Sequence, residues 1–278
     1  MDEQSPTEAI LEATRDIDQW RTERIVEAIH AEDGRAWEAV GAVLPRIAEA
    51  VEVLVVALAG GGRWFNVGAG TSGRIGALDA AELPPTFGVP RRLVQAVVAG
   101  GEAALVRAIE GAEDHPERAV FALQERGLAA GDVVVGISAS GRTPFTLGSL
   151  EAAHEVGART VAITCNPGSP LAEAAEIAIV PRVGPEVIAG STRMKGGLAQ
   201  KMVLNMLSTA VMVRLGHVEG NLMTHLLPAS EKLRERGLRI VMQVGGLDRA
   251  AAEKLLAECE GNVAEATRRL RANGSGER

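Results

Sequence analysis

The 278-residue sequence predicts an α/β fold: one parallel sheet in a three-layer arrangement, preceded by helices and followed by a small helical appendage. Three observations predict it. From Arg63 onward, short apolar runs alternate with amphipathic segments of helix length, the pattern of strands joined by right-handed crossovers and covered on both faces. The apolar runs are only five or so residues long and bounded by glycine or small residues, as buried parallel strands are. Two of them enter loops of glycine and hydroxyl residues that open directly into a helical pattern. In such sheets, ligands lie beyond the C-terminal strand ends, so these loops share one edge.

Residues 1–62 form the first region. Up to residue 20 there is little periodicity, which predicts an extended arm with a short helix. Arg21 to Ala31 sets Ile25, Val26 and Ile29 on one face, an amphipathic helix. Apolar residues from Trp37 to Val55 continue at helical spacing until Gly60-Gly61-Gly62, with Pro45 as a kink or division. Residues 63–228 carry the alternation, with strands predicted at 64–67, 93–98, 132–137, 160–164 and 177–181. The intervening helices fall at 73–82, 102–110, 116–126, 144–156 and 170–175. The first of these is expected to stop at Pro84-Pro85, because proline forces its predecessor out of the helical region. A long, largely buried helix lies within 190–216, with methionines as core filler. Residues 229–278 predict helices at 230–243, 248–258 and 262–272, N-capped at Asp248 and Asn262, and a disordered tail from Asn273.

Composition narrows the function. A formal charge of -7 argues against nucleic acid as a partner. With 3% aromatics and no tyrosine there are few platforms for stacking bases. Cys165 and Cys259 are too few and too isolated for a disulfide framework or a zinc site, and the five histidines show no metal-ligand spacing. No apolar run approaches the ~18 residues of a membrane helix, and the acidic start lacks a signal-peptide core. A soluble cytoplasmic protein without a metal is the expectation. The helices at 21–59 and 190–214 carry more apolar surface than one small sheet needs, which predicts a homodimer.

The loop after the first strand is Gly68-Ala69-Gly70-Thr71-Ser72-Gly73. Strand, glycine-rich turn and helix start aim backbone N–H groups and a positive helix end at an anion. Its spacing fits a dinucleotide fingerprint, but the acid expected about 20 residues further on is missing, since the next strand candidate ends in Ala99-Gly100-Gly101-Glu102. Thr71 and Ser72, with Glu82 at the helix end, suit a polar sugar phosphate better. The second loop, Ser138-Ala139-Ser140-Gly141-Arg142-Thr143, follows another apolar strand and precedes Pro144 at a helix first turn. Ser138, Ser140, Gly141 and Thr143 complete a candidate phosphate cradle.

Ser-Ala-Ser-Gly-Arg-Thr resembles the phosphosugar loop of SIS domains, which are flavodoxin-like. The segment from Val67 through Val89, Ala108–Asp114, Thr164–Pro170, Gly184–Lys195 and Val218–Met223 together resemble the N-acetylmuramic acid 6-phosphate etherase family. The similarity runs from about Thr7 to about Leu270. It implies cleavage of the lactyl ether at C3 of the sugar phosphate, giving N-acetylglucosamine 6-phosphate and D-lactate, with neither metal nor organic cofactor. The chain departs from the family pattern at Ala9-Ile10-Leu11, at Leu198 and across Thr224–Ser230. Alternatives of the same fold are a sugar-phosphate-binding regulator and an aldose–ketose isomerase.

The resemblance gives Glu82 as the proton donor and Glu113 as the second catalytic glutamate. The chemistry fits two carboxylates: a base removes the C2 proton, acidified by the C1 aldehyde of the open sugar, and an acid protonates the departing ether oxygen. Glu82 lies among Ala81, Leu83 and two prolines, an apolar setting expected to favour its protonated form. Glu113 sits in a polar Glu-Asp run, whereas Glu110 and Asp114 read as charge at the start of the next helix. Glu186, Arg193, Lys195 and Asn221 are further candidates for substrate contact. At a helix start, Arg193 and Lys195 are expected to be solvated.

Overall fold

A computed structural model describes residues 5–228 and 230–274; the tail expected to be disordered lies, from residue 275, outside the described residues. The chain divides into two compact units. The first takes the residues up to Ala80 and Arg92–Val211; the second takes Ala81–Arg91 and the chain from Met212.

The first unit is built on five parallel strands: β1 (Trp64–Gly68), β2 (Val94–Val98), β3 (Val133–Ile137), β4 (Arg159–Ile163) and β5 (Ile177–Ile179). Their order is β2-β1-β3-β4-β5, the flavodoxin-like order, in which the chain turns one way from β1 and returns on the other side to β3. The switch point therefore lies between the C-terminal ends of β1 and β3. Every residue of β1 and β3 is buried, as strands covered on both faces must be. On one face Phe65, Val67, Val134 and Ala162 pack with Ala119 and Leu123 of α5 (Pro116–Glu125), Phe145 and Leu150 of α6 (Pro144–Val156) and Leu171 of α7 (Pro170–Ala174). The other face turns Asn66 toward α3 (Gly70–Phe87), and Asn66 Nδ2 donates to the Gly76 carbonyl at 3.2 Å.

The N-terminal helices are α1 (Thr22–Gly41) and α2 (Leu44–Ala59). The first runs ten residues beyond its expected end, and the break falls at Ala42–Val43, so Pro45 enters the first turn of α2. There its missing N–H has no partner to lose. Of the helix expected at 102–110, one turn forms, α4 (Ala103–Val106). The expected helix 102–110 is cut short because Arg107 is extended (φ -146°) and Gly111 is left-handed. Helix α3 continues through Pro84 and Pro85 to Phe87 instead of stopping before them. Leu83 and Phe87 are both buried, and that burial holds a turn which proline weakens. The long helix α8 spans Lys195–Arg214.

Within the second unit, α9 (Glu231–Gly245), α10 (Arg249–Glu258) and α11 (Val263–Gly274) enclose a core of Leu226, Leu238, Ile240, Val241, Ala252, Cys259, Val263 and Ala266. Asp248 accepts from the Ala251 N–H at 2.8 Å and Asn262 from the Glu265 N–H at 2.9 Å, the N-caps the sequence predicts. Among the described residues, no helix is long and apolar enough to cross a membrane.

One buried group sets a pH dependence. Asp79 on α3 is 4% exposed; its Oδ1 accepts from Ser208 on α8 at 3.0 Å, and its Oδ2 has no hydrogen-bond partner among the described residues. Burial pushes its pKa up to about 6 against the Ser208 hydrogen bond and the Lys201 charge, which act the other way. The folded state therefore holds this proton between about pH 4 and 6, where the unfolded chain has released it. Asp79 thus weakens the fold as pH rises through that window, by on the order of 2–3 kcal/mol, and the penalty disappears below it. Asp79→Asn should flatten the change in urea-unfolding free energy between pH 5 and pH 7.5. An unchanged slope would assign it to other groups.

Candidate functional site

The loops after β1 and β3 leave adjacent strands at the switch point. After β1 the chain turns at Gly70 (φ 51°) and α3 begins at once, bringing Thr71 and Ser72 to its first turn. Thr71 is half-buried. Ser72 is buried and donates to Gln200 Oε1 at 3.0 Å, so its hydroxyl braces α3 against α8.

After β3, three hydroxyls converge. Ser138 Oγ lies 2.9 Å from Thr143 Oγ1 and 3.3 Å from Ser140 Oγ. The Gly141 N–H donates to Ser138 Oγ at 3.1 Å and the Arg142 N–H to Ser140 Oγ at 3.2 Å. Thr143 occupies the N-cap position of α6 with no side-chain cap bond, leaving its hydroxyl in this cluster at a positive helix end. Gly141 is required: its φ is 67°, and a Cβ would fall 2.1 Å from Ser169 Oγ and 2.7 Å from Thr164 Oγ1. The loop after β4 supports the cradle from behind. Asn166 Nδ2 donates to the Ser140 carbonyl at 3.1 Å, to Thr7 Oγ1 at 3.1 Å and to Ser5 Oγ. One amide thus fastens both the cradle and the N-terminal arm, whose Thr7 is fully buried.

A third element reaches the same place. A Cβ on Gly197 would lie 3.2 Å from Thr71 Cγ2, and one on Gly196 would lie 3.7 Å from Ala139 Cβ. The start of α8 therefore stands between the two loops. Glu186, fully buried, accepts from the Lys195 N–H at 3.1 Å and the Gly196 N–H at 2.8 Å. Both its oxygens are spent on capping α8. Burial is the largest influence on its carboxyl and raises the pKa, opposed by these two bonds and by Lys195. Burial, with the Glu186 charge beside it, pushes the Cys165 thiol up to about 12, which removes it as a nucleophile at neutral pH.

The structure corrects two sequence expectations here. Lys195 is not solvated: it is 1% exposed, with its Nζ paired to Glu32 of α1. Arg193 is exposed, as expected of a helix-start cation. Glu82 lacks the apolar enclosure its neighbours suggest, because the helical phase turns Leu83 inward and leaves Glu82 exposed. Glu113 is exposed in the tight turn Ala112–Asp114 that follows Gly111. Asn221, in the second unit, is exposed in the turn joining Glu219 and Leu222, which pair as an antiparallel bridge. Among the described residues, no group of three or more His, Cys, Asp or Glu could hold a metal ion. Sequence reasoning missed Glu32, Gln200 and Asn166. Asn166 lay in the Thr164–Pro170 motif and Gln200 in the family-like stretch Lys195–Lys201 around Leu198, whereas Glu32 sits inside α1 and carries no local signal.

Comparison with known proteins fits this geometry. Residues 46–154 match the family described as glucokinase regulatory protein N-terminal SIS domain, and residues 126–210 match the SIS domain. The chain is similar to N-acetylmuramic acid 6-phosphate etherase of Symbiobacterium thermophilum, 53% identical over 94% of this chain and 86% of that protein. It is also similar to the protein of that name in Pectobacterium atrosepticum, at 49% over the same shares. Among solved structures, phosphoheptose isomerase of Neisseria gonorrhoeae aligns with a TM-score of 0.54 at 22% identity, covering 69% of this chain and 98% of that one; this likeness concerns the fold alone. On the strength of near-50% identity across almost its whole length, the chain belongs to the N-acetylmuramic acid 6-phosphate etherase family.

Proposed function

We infer that this protein is a carbon–oxygen lyase that cleaves the D-lactyl ether of N-acetylmuramic acid 6-phosphate, giving N-acetylglucosamine 6-phosphate and D-lactate. The observation that carries the reading is the identity of about half the residues, over more than nine-tenths of the chain, to proteins bearing that activity as their name. The cluster of Ser138, Ser140 and Thr143 at a helix N-terminus is what a phosphate monoester needs, and it supports the substrate class. Thr71 stands on the neighbouring loop as a further donor to the phosphate. Arg193 and Asn221, both exposed, remain candidates for contact with the rest of the sugar. Ser72, Glu186 and Lys195 act instead as braces for the start of α8. The setting is cytoplasmic amino sugar recycling.

The chemistry is elimination followed by hydration. With the sugar open, a carboxylate removes the proton at C2, and the electron pair forms the C2–C3 double bond. The C3–O bond breaks, and the ether oxygen leaves as lactate while taking a proton from an acid, for which Glu82 is the candidate. Water then adds at C3 and a proton returns to C2; Glu113 is the candidate to activate that water. Incubation with the muramic acid phosphate followed by a lactate assay tests the reading. Absence of lactate, together with tight binding of a hexose phosphate, would favour a sugar-phosphate regulator instead.

Two expected results follow. Ser140→Ala removes one hydroxyl and leaves the loop backbone in place, so binding should suffer more than turnover. A hydrogen bond to a charged group contributes roughly 1.5–3 kcal/mol, which is about a tenfold to hundredfold rise in the dissociation constant. Unchanged affinity for every sugar phosphate would remove this loop from the site. The protein should also be a homodimer, since α1 and α2 expose Val26, Trp37 (69%), Leu44 and Val56 (71%). A light-scattering mass near the chain's own 29.0 kDa at micromolar concentration would exclude it.

A further inference from the structure

The last turn of α3 contains Pro84 and Pro85 and carries Glu82 at its start. Neither proline has an N–H to donate to the carbonyl four residues back, so this turn lacks two bonds of the helical ladder. What packs on such a turn must hold it. Within the second unit two histidines do so. His217 Nδ1 lies 2.9 Å from the Phe87 carbonyl oxygen; a carbonyl only accepts, so Nδ1 carries the proton and donates. The His217 ring is steadied in turn. Its backbone N–H donates to the Met212 carbonyl at 3.0 Å, and His225 stands edge-on to it with ring centroids 5.1 Å apart. The His225 carbonyl also closes the space beside Gly88, where a Cβ would come within 2.2 Å. Only glycine, at φ 67°, ends the helix there. His225 falls in the Thr224–Ser230 stretch, where the sequence departs from the family pattern.

We propose that His217, backed by His225, is a positioning residue for Glu82: it pins the proline-weakened turn so that the carboxyl on it keeps a fixed aim. This rests on the reading of Glu82 as the acid that assists lactate departure. A small displacement of a catalytic group lowers rate far more than affinity. A clamp of this kind therefore acts on kcat and leaves KM alone.

The test uses the full-length protein. His217→Ala should lower kcat for lactate release by between about tenfold and a hundredfold with KM within about twofold. His217→Asn, whose Nδ2 stands where the imidazole Nδ1 did, should recover most of the loss. In a Glu82→Gln background, His217→Ala should cost nothing further, because both changes remove one function. Amide exchange at Thr86–Val89 should speed by about tenfold while β1 and β3 stay protected. If His217→Ala does not fold, His217→Met, close in volume and without an N–H donor, replaces it. A rise in KM matching the fall in kcat, a full additional loss in the Glu82→Gln background, or unchanged exchange at Thr86–Val89 would overturn the clamp. Near wild-type lactate release from Glu82→Gln alone would overturn the reading of Glu82, and the exchange result would still judge the clamp.

Discussion

Replacing Glu82 by glutamine should lower lactate release by roughly 10²–10⁴-fold, the usual contribution of a positioned acid or base, while the product still binds. Glutamine keeps the shape of the side chain and removes its exchangeable proton. Because Glu82 is exposed, the change buries no unpaired group, so a loss of activity would not reflect a loss of fold. The counterpart, Glu113→Gln, should separate the two halves of the reaction. If Glu113 activates the incoming water, the variant should turn over slowly yet still exchange the C2 hydrogen with deuterated solvent. Lactate release and deuterium at C2, measured on both variants, check the assignment. Lactate release near wild type from Glu82→Gln would refute the role given to Glu82.

The exposure of both glutamates marks where sequence reading stops. Strands, their parallel pairing and the two loops at one sheet edge were legible, because each rests on a local pattern: a buried strand is a short apolar run, and a helix start beside a glycine turn declares itself. The caps at Asp248 and Asn262 were legible for the same reason. The environment of Glu82 was not, since its apolar neighbours in sequence point elsewhere once helical phase is imposed, with Leu83 inward and Glu82 out. The end of α3 was misread through a sound local rule. Proline does weaken that turn, but Leu83, Phe87 and His217 hold it, and all three effects depend on distant packing. Glu186 reads from sequence as a polar residue in a substrate-like motif. Only the fold reveals that its two oxygens are committed to the Lys195 and Gly196 N–H groups.

The pair Glu32–Lys195 gives the largest expected effect on stability, and an asymmetric one. Lys195 is 1% exposed and Glu32 9%, and they join α1 to the start of α8. Glu32→Ala leaves the ammonium buried without its partner carboxylate, which costs about 3–5 kcal/mol. Lys195→Met should cost less, because Glu32 keeps Arg35 at 3.1 Å, whose side chain is 62% exposed to solvent. The double variant Glu32→Leu, Lys195→Met puts apolar groups on both sides and should recover most of the loss, since a buried ion pair gains little over a well-packed apolar pair. Urea unfolding, read as midpoint and slope, distinguishes these cases. A double variant no more stable than Glu32→Ala would mean that the pair specifies the local packing as well as neutralising charge. A Glu32→Ala loss below about 1 kcal/mol, the range of a solvated pair, would mean that water reaches Lys195. The buried pair matters for the site because Gly196 and Gly197, the next two residues, stand between the Thr71 and Ser138–Thr143 loops. Charge burial at Lys195 thus fixes the helix start against which both hydroxyl loops are set.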